Sequence, residues 1–112
     1  MKSISTHVLD ITRGRPAKDL PITIARKEGD AFTTLKSGKT DADGRIKDLV
    51  PEGSLVTGVY RITFDTGAYF AALGTEGFYP EASIVFTINN AEQHYHVPLL
   101  LSPFGYSTYR GS

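Results

Sequence analysis

Short runs rich in Val, Ile, Thr, Phe and Tyr, divided by glycines and prolines at short and even intervals, fill this chain from end to end. No other feature constrains its fold as much. β-Branched and aromatic side chains suit a pleated, half-buried surface, and regular turn residues between such runs point to a sandwich or a barrel. The eleven glycines and six prolines are scattered rather than clustered. No linker, low-complexity tract or long repeat interrupts the pattern, so neither a solenoid nor a second unit is expected. With 112 residues, the chain is expected to form one domain, residues 1–112, with one core.

The strands are expected at Ser5–Asp10, Ile22–Lys27, Phe32–Lys36, Arg45–Leu49, Val59–Phe64, Ser83–Ile88, Tyr95–Leu101 and Tyr106–Tyr109. Turns are expected at Arg13–Pro16, at Asp43-Gly44 as a hairpin, and at Pro51–Gly53, because Gly accepts positive φ without steric cost and Pro presets its own. Thr66–Leu73 is the one stretch with helical spacing, and Gly74 stops it. Together these make an all-β sandwich with one short helix.

Composition removes several functions. Twelve Lys and Arg balance twelve Asp and Glu, so the basic footprint of a nucleic-acid binder is missing and no anionic membrane is implied as partner. The lack of cysteine excludes disulfides, thiolate catalysis and Cys-ligated zinc. The longest apolar run, Val97–Leu101, is far too short to span a membrane, and the first residues lack the apolar core of a secretory signal. A cytoplasmic protein is expected. Catalytic signatures such as a nucleophile elbow, a zincin helix or a phosphate loop do not occur. Thr40–Gly44 resembles a calcium loop only faintly, without the later acids, and reads as a solvated turn.

The histidines stand out. His94 and His96 are two apart on an expected strand and so share a face with Pro98 and Leu100, while Tyr95, Val97, Leu99 and Leu101 form the apolar opposite face. His96 therefore points away from the core. His7 does so too, since Thr6 and Val8 take the inner side of its strand. Imidazoles outside the core but beside Leu and Pro suggest a covered cleft or a subunit contact. Two His at this spacing could chelate a metal, but no third ligand lies at suitable spacing.

Ser5-Thr6-His7-Val8-Leu9-Asp10 with Arg13-Gly14 and Pro16-Ala17, then His94-Tyr95-His96-Val97-Pro98-Leu99-Leu100-Leu101-Ser102-Pro103, resemble the opening and the penultimate strand of transthyretin-like proteins. The closing Tyr109-Arg110-Gly111-Ser112 is similar to the tetrapeptide that separates the 5-hydroxyisourate hydrolases of this family from the hormone carrier transthyretin. The resemblance covers nearly the whole chain, including Gly44-Arg45 and the short helix. It implies a transthyretin-like β-sandwich of two four-stranded antiparallel sheets, assembled as a homotetramer with active sites at the contact between dimers. It also implies hydrolysis of 5-hydroxyisourate to 2-oxo-4-hydroxy-4-carboxy-5-ureidoimidazoline in urate degradation, with neither cofactor nor metal. By the same resemblance His7, Arg45, His96 and Ser112 are the catalytic set, and His7, Arg45, Tyr109 and Arg110 hold the substrate.

The side chains suit that chemistry. Opening a cyclic amide needs an activated water and stabilisation of charge on the attacked carbonyl. Histidine, with an ordinary pKa of about 6.5, is the natural base near neutrality, though sequence does not say whether His7 or His96 fills that role. Arg45 brings planar donors that stay charged. Tyr109 and Arg110 add donors, and Ser112 a hydroxyl and a carboxylate. His94 reads as structural or solvated. The alternative is a non-catalytic carrier of a small aromatic ligand, whose channel would be lined with neutral side chains instead of two His and an Arg.

Overall fold

The computed structural model describes residues 3–51 and 53–111. The turn expected at Pro51–Gly53 contains Glu52, which lies outside them. Among the described residues, strands β1 (Ile4–Asp10), β2 (Arg15–Pro16), β3 (Pro21–Glu28), β4 (Ala31–Lys39), β5 (Arg45–Ile46) and β6 (Gly58–Phe64) precede helix α1 (Thr66–Ala72). Strands β7 (Ala82–Ile88), β8 (Tyr95–Ser102) and β9 (Gly105–Thr108) follow it. They form the two-layer sandwich that the sequence calls for. One sheet has the order β4-β3-β6-β7, and the other β2-β1-β8-β9, with β5 also paired to β1.

The core lies between the layers. Ile4, Thr6 and Val8 of β1 and Tyr95, Val97, Leu99 and Leu101 of β8 are buried against Ile22, Ile24, Tyr60, Ile62 and Phe64 of the facing sheet. This is the period-two burial expected of a strand with one face covered. Two polar groups on the inner side are satisfied. The Thr6 hydroxyl donates to the Val97 carbonyl at 2.6 Å, and the Asp10 carboxylate accepts from the Tyr69 hydroxyl of α1 at 2.8 Å. Burial, then the bond to Asp10, raises the Tyr69 pKa above its ordinary value. The helix begins with Asp65 accepting from the Ala68 amide at 3.0 Å, and Gly74, at φ +68°, ends it as foreseen.

Four features depart from expectation. The second sheet holds five strands rather than four, because the place beside β1 is shared end to end by two short pieces. β2 pairs with Leu9 and Asp10, and β5 with Thr6 and His7. The pairing of β1 with β8 is parallel, not antiparallel, since the intervening chain crosses to the other sheet and back. The Asp43-Gly44 turn is not a hairpin but a corner, carrying the chain from β4 in one sheet to β5 in the other. Finally, β5 stops at Ile46 and not at Leu49. There the Leu49 amide turns to the Ile4 carbonyl at 2.9 Å and its side chain enters the core.

Candidate active site

The ionisable residues gather on the outer face of the sheet that contains β1 and β8. On β1, Ser5, His7 and Leu9 alternate with buried neighbours and remain half-buried. His7 pairs with Arg45 of β5 on one side and with Pro98 of β8 on the other. The adjacent row joins Ser5 to His96, and a bridge continues it from His96 to Gly111. Thr108 faces Leu99. The same register sets Tyr109 level with Pro98, in the row of Arg45 and His7, and Arg110 level with the inward Val97. One stretch of sheet thus brings together His7, Arg45, His96 and the position of Tyr109.

Arg45 is held by the corner before it. The Asp41 carboxylate accepts from the amides of Asp43 at 2.9 Å and Arg45 at 3.0 Å, and the Arg45 amide bond first of all lowers the Asp41 pKa. Gly44, at φ +73°, is required twice over. The left-handed conformation disfavours other residues, and a Cβ there would collide with the Val8 carbonyl oxygen. The Gly44 carbonyl accepts from the Val8 amide at 2.8 Å, which ties the corner to β1 immediately before Arg45.

His96 is the most tightly placed of the imidazoles. Its Nδ1 lies 2.8 Å from the Ser5 hydroxyl, its carbonyl accepts from the Gly111 amide at 2.8 Å, and a Cβ at position 111 would sit 2.6 Å from its Cδ2. Only glycine can lie so close to the ring. Burial, with smaller contributions from the charges of His7, Arg45 and His94, pushes the His96 pKa below the usual histidine range. The ring is therefore neutral near pH 7, with a lone pair available to accept a proton. His94 is exposed, directly before β8, and its Nε2 reaches the same Ser5 hydroxyl at 2.9 Å.

Two adjoining recesses open on this face. One of about 470 Å³ is bordered by His7, Asp41, Asp43, Arg45 and Lys47. The other, of about 220 Å³, is bordered by Ser5, Arg45, Lys47, His94 and His96. Arg45 and Lys47 belong to both. A larger recess of about 610 Å³ beside α1 offers Arg13, Arg15, Lys18, Asp19 and Lys39 but no histidine. Arg110 lies elsewhere. Its guanidinium stacks 4.4 Å above the Tyr95 ring and donates to Gln93 at 3.0 Å, and with Tyr109 it borders a separate recess of about 310 Å³. Ser112 lies outside the described residues. Among those residues, no three His, Asp or Glu side chains are grouped as a metal would require, and no helix is long and apolar enough to cross a membrane.

Sequence reasoning passed over Ser5, Lys47 and the contact made by Gly111. Ser5 had a usable signal, being two residues before His7 and hence on its face. Its meeting with His94 and His96 depends on a parallel register that no local pattern encodes.

The fold and the site together define a two-sheet β-sandwich protein with imidazoles and a guanidinium gathered on one outer sheet face. Residues 4–111 match the family described as HIUase/Transthyretin, and the chain belongs to that family. It is 47% identical to the 5-hydroxyisourate hydrolase of Salmonella typhimurium over 109 residues, covering 97% of this chain and 80% of that one. With the mouse 5-hydroxyisourate hydrolase it shares 42% over 111 residues, covering 97% and 94%. Among solved structures, the Klebsiella pneumoniae 5-hydroxyisourate hydrolase aligns with TM-score 0.87 and 42% identity, covering 100% of this chain and 94% of that one. The transthyretin of Sparus aurata aligns with TM-score 0.93 and 35% identity, covering 99% and 97%. The transthyretin thus matches in shape at least as well as the hydrolase. Overall shape does not separate the two proteins, so the residues at the site must.

Proposed function

We propose that this protein hydrolyses 5-hydroxyisourate to 2-oxo-4-hydroxy-4-carboxy-5-ureidoimidazoline, a step of urate degradation. The observation that carries the reading is the meeting of His7, Arg45 and His96 on one sheet face, in a chain as similar in sequence to named 5-hydroxyisourate hydrolases as this one is. A carrier of apolar ligands has no use for a neutral imidazole set beside a guanidinium.

In this reading the substrate ring lies over the recesses at Arg45, with Tyr109 beside it. Nε2 of His96 removes a proton from water, and the resulting hydroxide attacks the ring carbonyl. Arg45 donates to the oxyanion of the tetrahedral intermediate, a contribution of about 3 kcal/mol for one well-placed donor. The carbon–nitrogen bond then breaks, and the leaving nitrogen takes a proton from the imidazolium or from His7. Proton transfer by a positioned side chain contributes about 10²–10⁴-fold. Ser112 and Arg110 complete the proposed set, Arg110 through a neighbouring subunit, because its own chain holds it against Tyr95. That requirement agrees with a homotetramer whose contacts cover Leu9 and Leu100, both half-buried on the outer face. The location proposed is cytoplasmic.

The same reading uses no metal. Protein dialysed against a strong chelator is expected to keep its full rate in an ultraviolet assay of freshly generated 5-hydroxyisourate. Loss of that rate, restored by zinc, would overturn the proposed chemistry.

A further inference from the structure

The Ser5 hydroxyl sits between two imidazole nitrogens, His94 Nε2 at 2.9 Å and His96 Nδ1 at 2.8 Å. A hydroxyl has one proton to give, so it cannot donate to both rings. When the hydroxyl gives its proton to one of the two rings, the chain of groups has two polarities. In one, His94 donates to Ser5 and Ser5 to His96 Nδ1, which leaves His96 with its proton on Nε2 and no lone pair facing outward. In the other, His96 Nδ1 donates to Ser5 and Ser5 donates to His94 Nε2, which leaves His96 Nε2 unprotonated.

We propose that Ser5 is a positioning residue that fixes His96 in the Nδ1-protonated tautomer, with His94 as the acceptor that orients the Ser5 hydroxyl. The tautomer of an imidazole is set by the bond its other nitrogen makes. The Ser5 hydroxyl lies 2.8 Å from Nδ1, and a base that works through Nε2 must carry its own proton on Nδ1, where this hydroxyl oxygen accepts it. Gly111 lies against the Cδ2 edge of the ring, where a Cβ would sit 2.6 Å from Cδ2. The groups whose charge acts on His96 are His7 of β1, Arg45 of β5 and His94. None of them supplies an acceptor for Nδ1 in place of Ser5 among the hydrogen bonds described. The exposed His94, idle in the hydrolytic reading, thereby gains a task.

The inference rests on the proposed role of His96 as base, but its main test does not depend on turnover. The chain has three histidines, so the imidazole nitrogens of ¹⁵N-histidine-labelled protein can be assigned by NMR with single His→Asn variants. Above its titration, His96 in the unaltered protein is expected to show a protonated Nδ1 and a bare Nε2. Ser5→Ala should move it towards the Nε2-protonated form that free imidazole prefers. It should also lower kcat about 10- to 100-fold with little change in KM. Ser5→Thr, which keeps the hydroxyl, should restore both. An Nε2-protonated His96 in the unaltered protein, or an unchanged tautomer in Ser5→Ala, would overturn the proposal. If the unaltered protein fails to hydrolyse 5-hydroxyisourate while His96 shows the expected tautomer, the functional reading falls and the positioning role stands.

Discussion

Replacing His96 with Asn is expected to lower the hydrolysis rate about 10²–10⁴-fold, the usual cost of removing a general acid or base, while the sandwich stays folded. The ring is half-buried on the outer face and fills no part of the core, and an amide of similar size leaves the backbone bond to Gly111 untouched. His7→Asn should cost a comparable factor, since its ring flanks Arg45 in the same row. His94→Asn should cost much less than either, because that ring meets Ser5 at 2.9 Å and moves no proton in the proposed reaction. The acid limb of kcat/KM in the unaltered protein should fall below pH 6.5, in keeping with the lowered His96 pKa. Activity is then constant above that limb and declines as the ring gains a proton. Rates measured beside circular dichroism separate lost chemistry from lost fold. Near-normal decay of the substrate with both His7→Asn and His96→Asn would end the two-histidine account.

Deleting Tyr109–Ser112 is expected to abolish activity and to cost only modest stability. Strand β9 ends at Thr108, whose hydroxyl donates to the Pro98 carbonyl at 2.7 Å, so the ladder beside β8 remains. Chain ends beyond such a ladder are held by few contacts. The site loses more. Tyr109 leaves the row of Arg45 and His7, and the Gly111 backbone no longer closes one edge of the His96 ring. Each preorganised donor at such a centre is worth about 3–4 kcal/mol, so the loss of even one is plainly measurable. The comparison is hydrolysis rate and melting temperature of the shortened and full-length proteins. Normal turnover by the shortened form would show that the tetrapeptide plays no part.

Much of this was legible in the sequence because both the sheet and its histidines obey period two. Alternation in Ile4–Asp10 and Tyr95–Leu101 is enough to send His7 and His96 outward, and Gly74 is enough to end the helix. The parts that could not be read depend on contacts distant along the chain. Nothing local to Arg15-Pro16 or Arg45-Ile46 says that both segments share one flank of β1. Nothing in Asp43-Gly44 distinguishes a hairpin from a corner between sheets. The parallel match of β1 with β8 brings Ser5 to His94 and His96 across about ninety residues of chain. Arg110 shows the converse limit. A motif can name a residue for the site while its register turns the side chain towards Tyr95.

The central claim is turnover at the face of His7, Arg45 and His96, as against mere binding there, and the sign of one effect decides it. Urate is oxidised enzymatically and the decay of 5-hydroxyisourate is followed by ultraviolet absorbance, with this protein at about one-hundredth of the substrate concentration. A hydrolase speeds the decay, consumes many equivalents per site and loses the effect with His96→Asn. Decay that is unchanged at this ratio, and slowed when the protein is raised to stoichiometric amounts, would mark a carrier that shelters its ligand and would contradict the account.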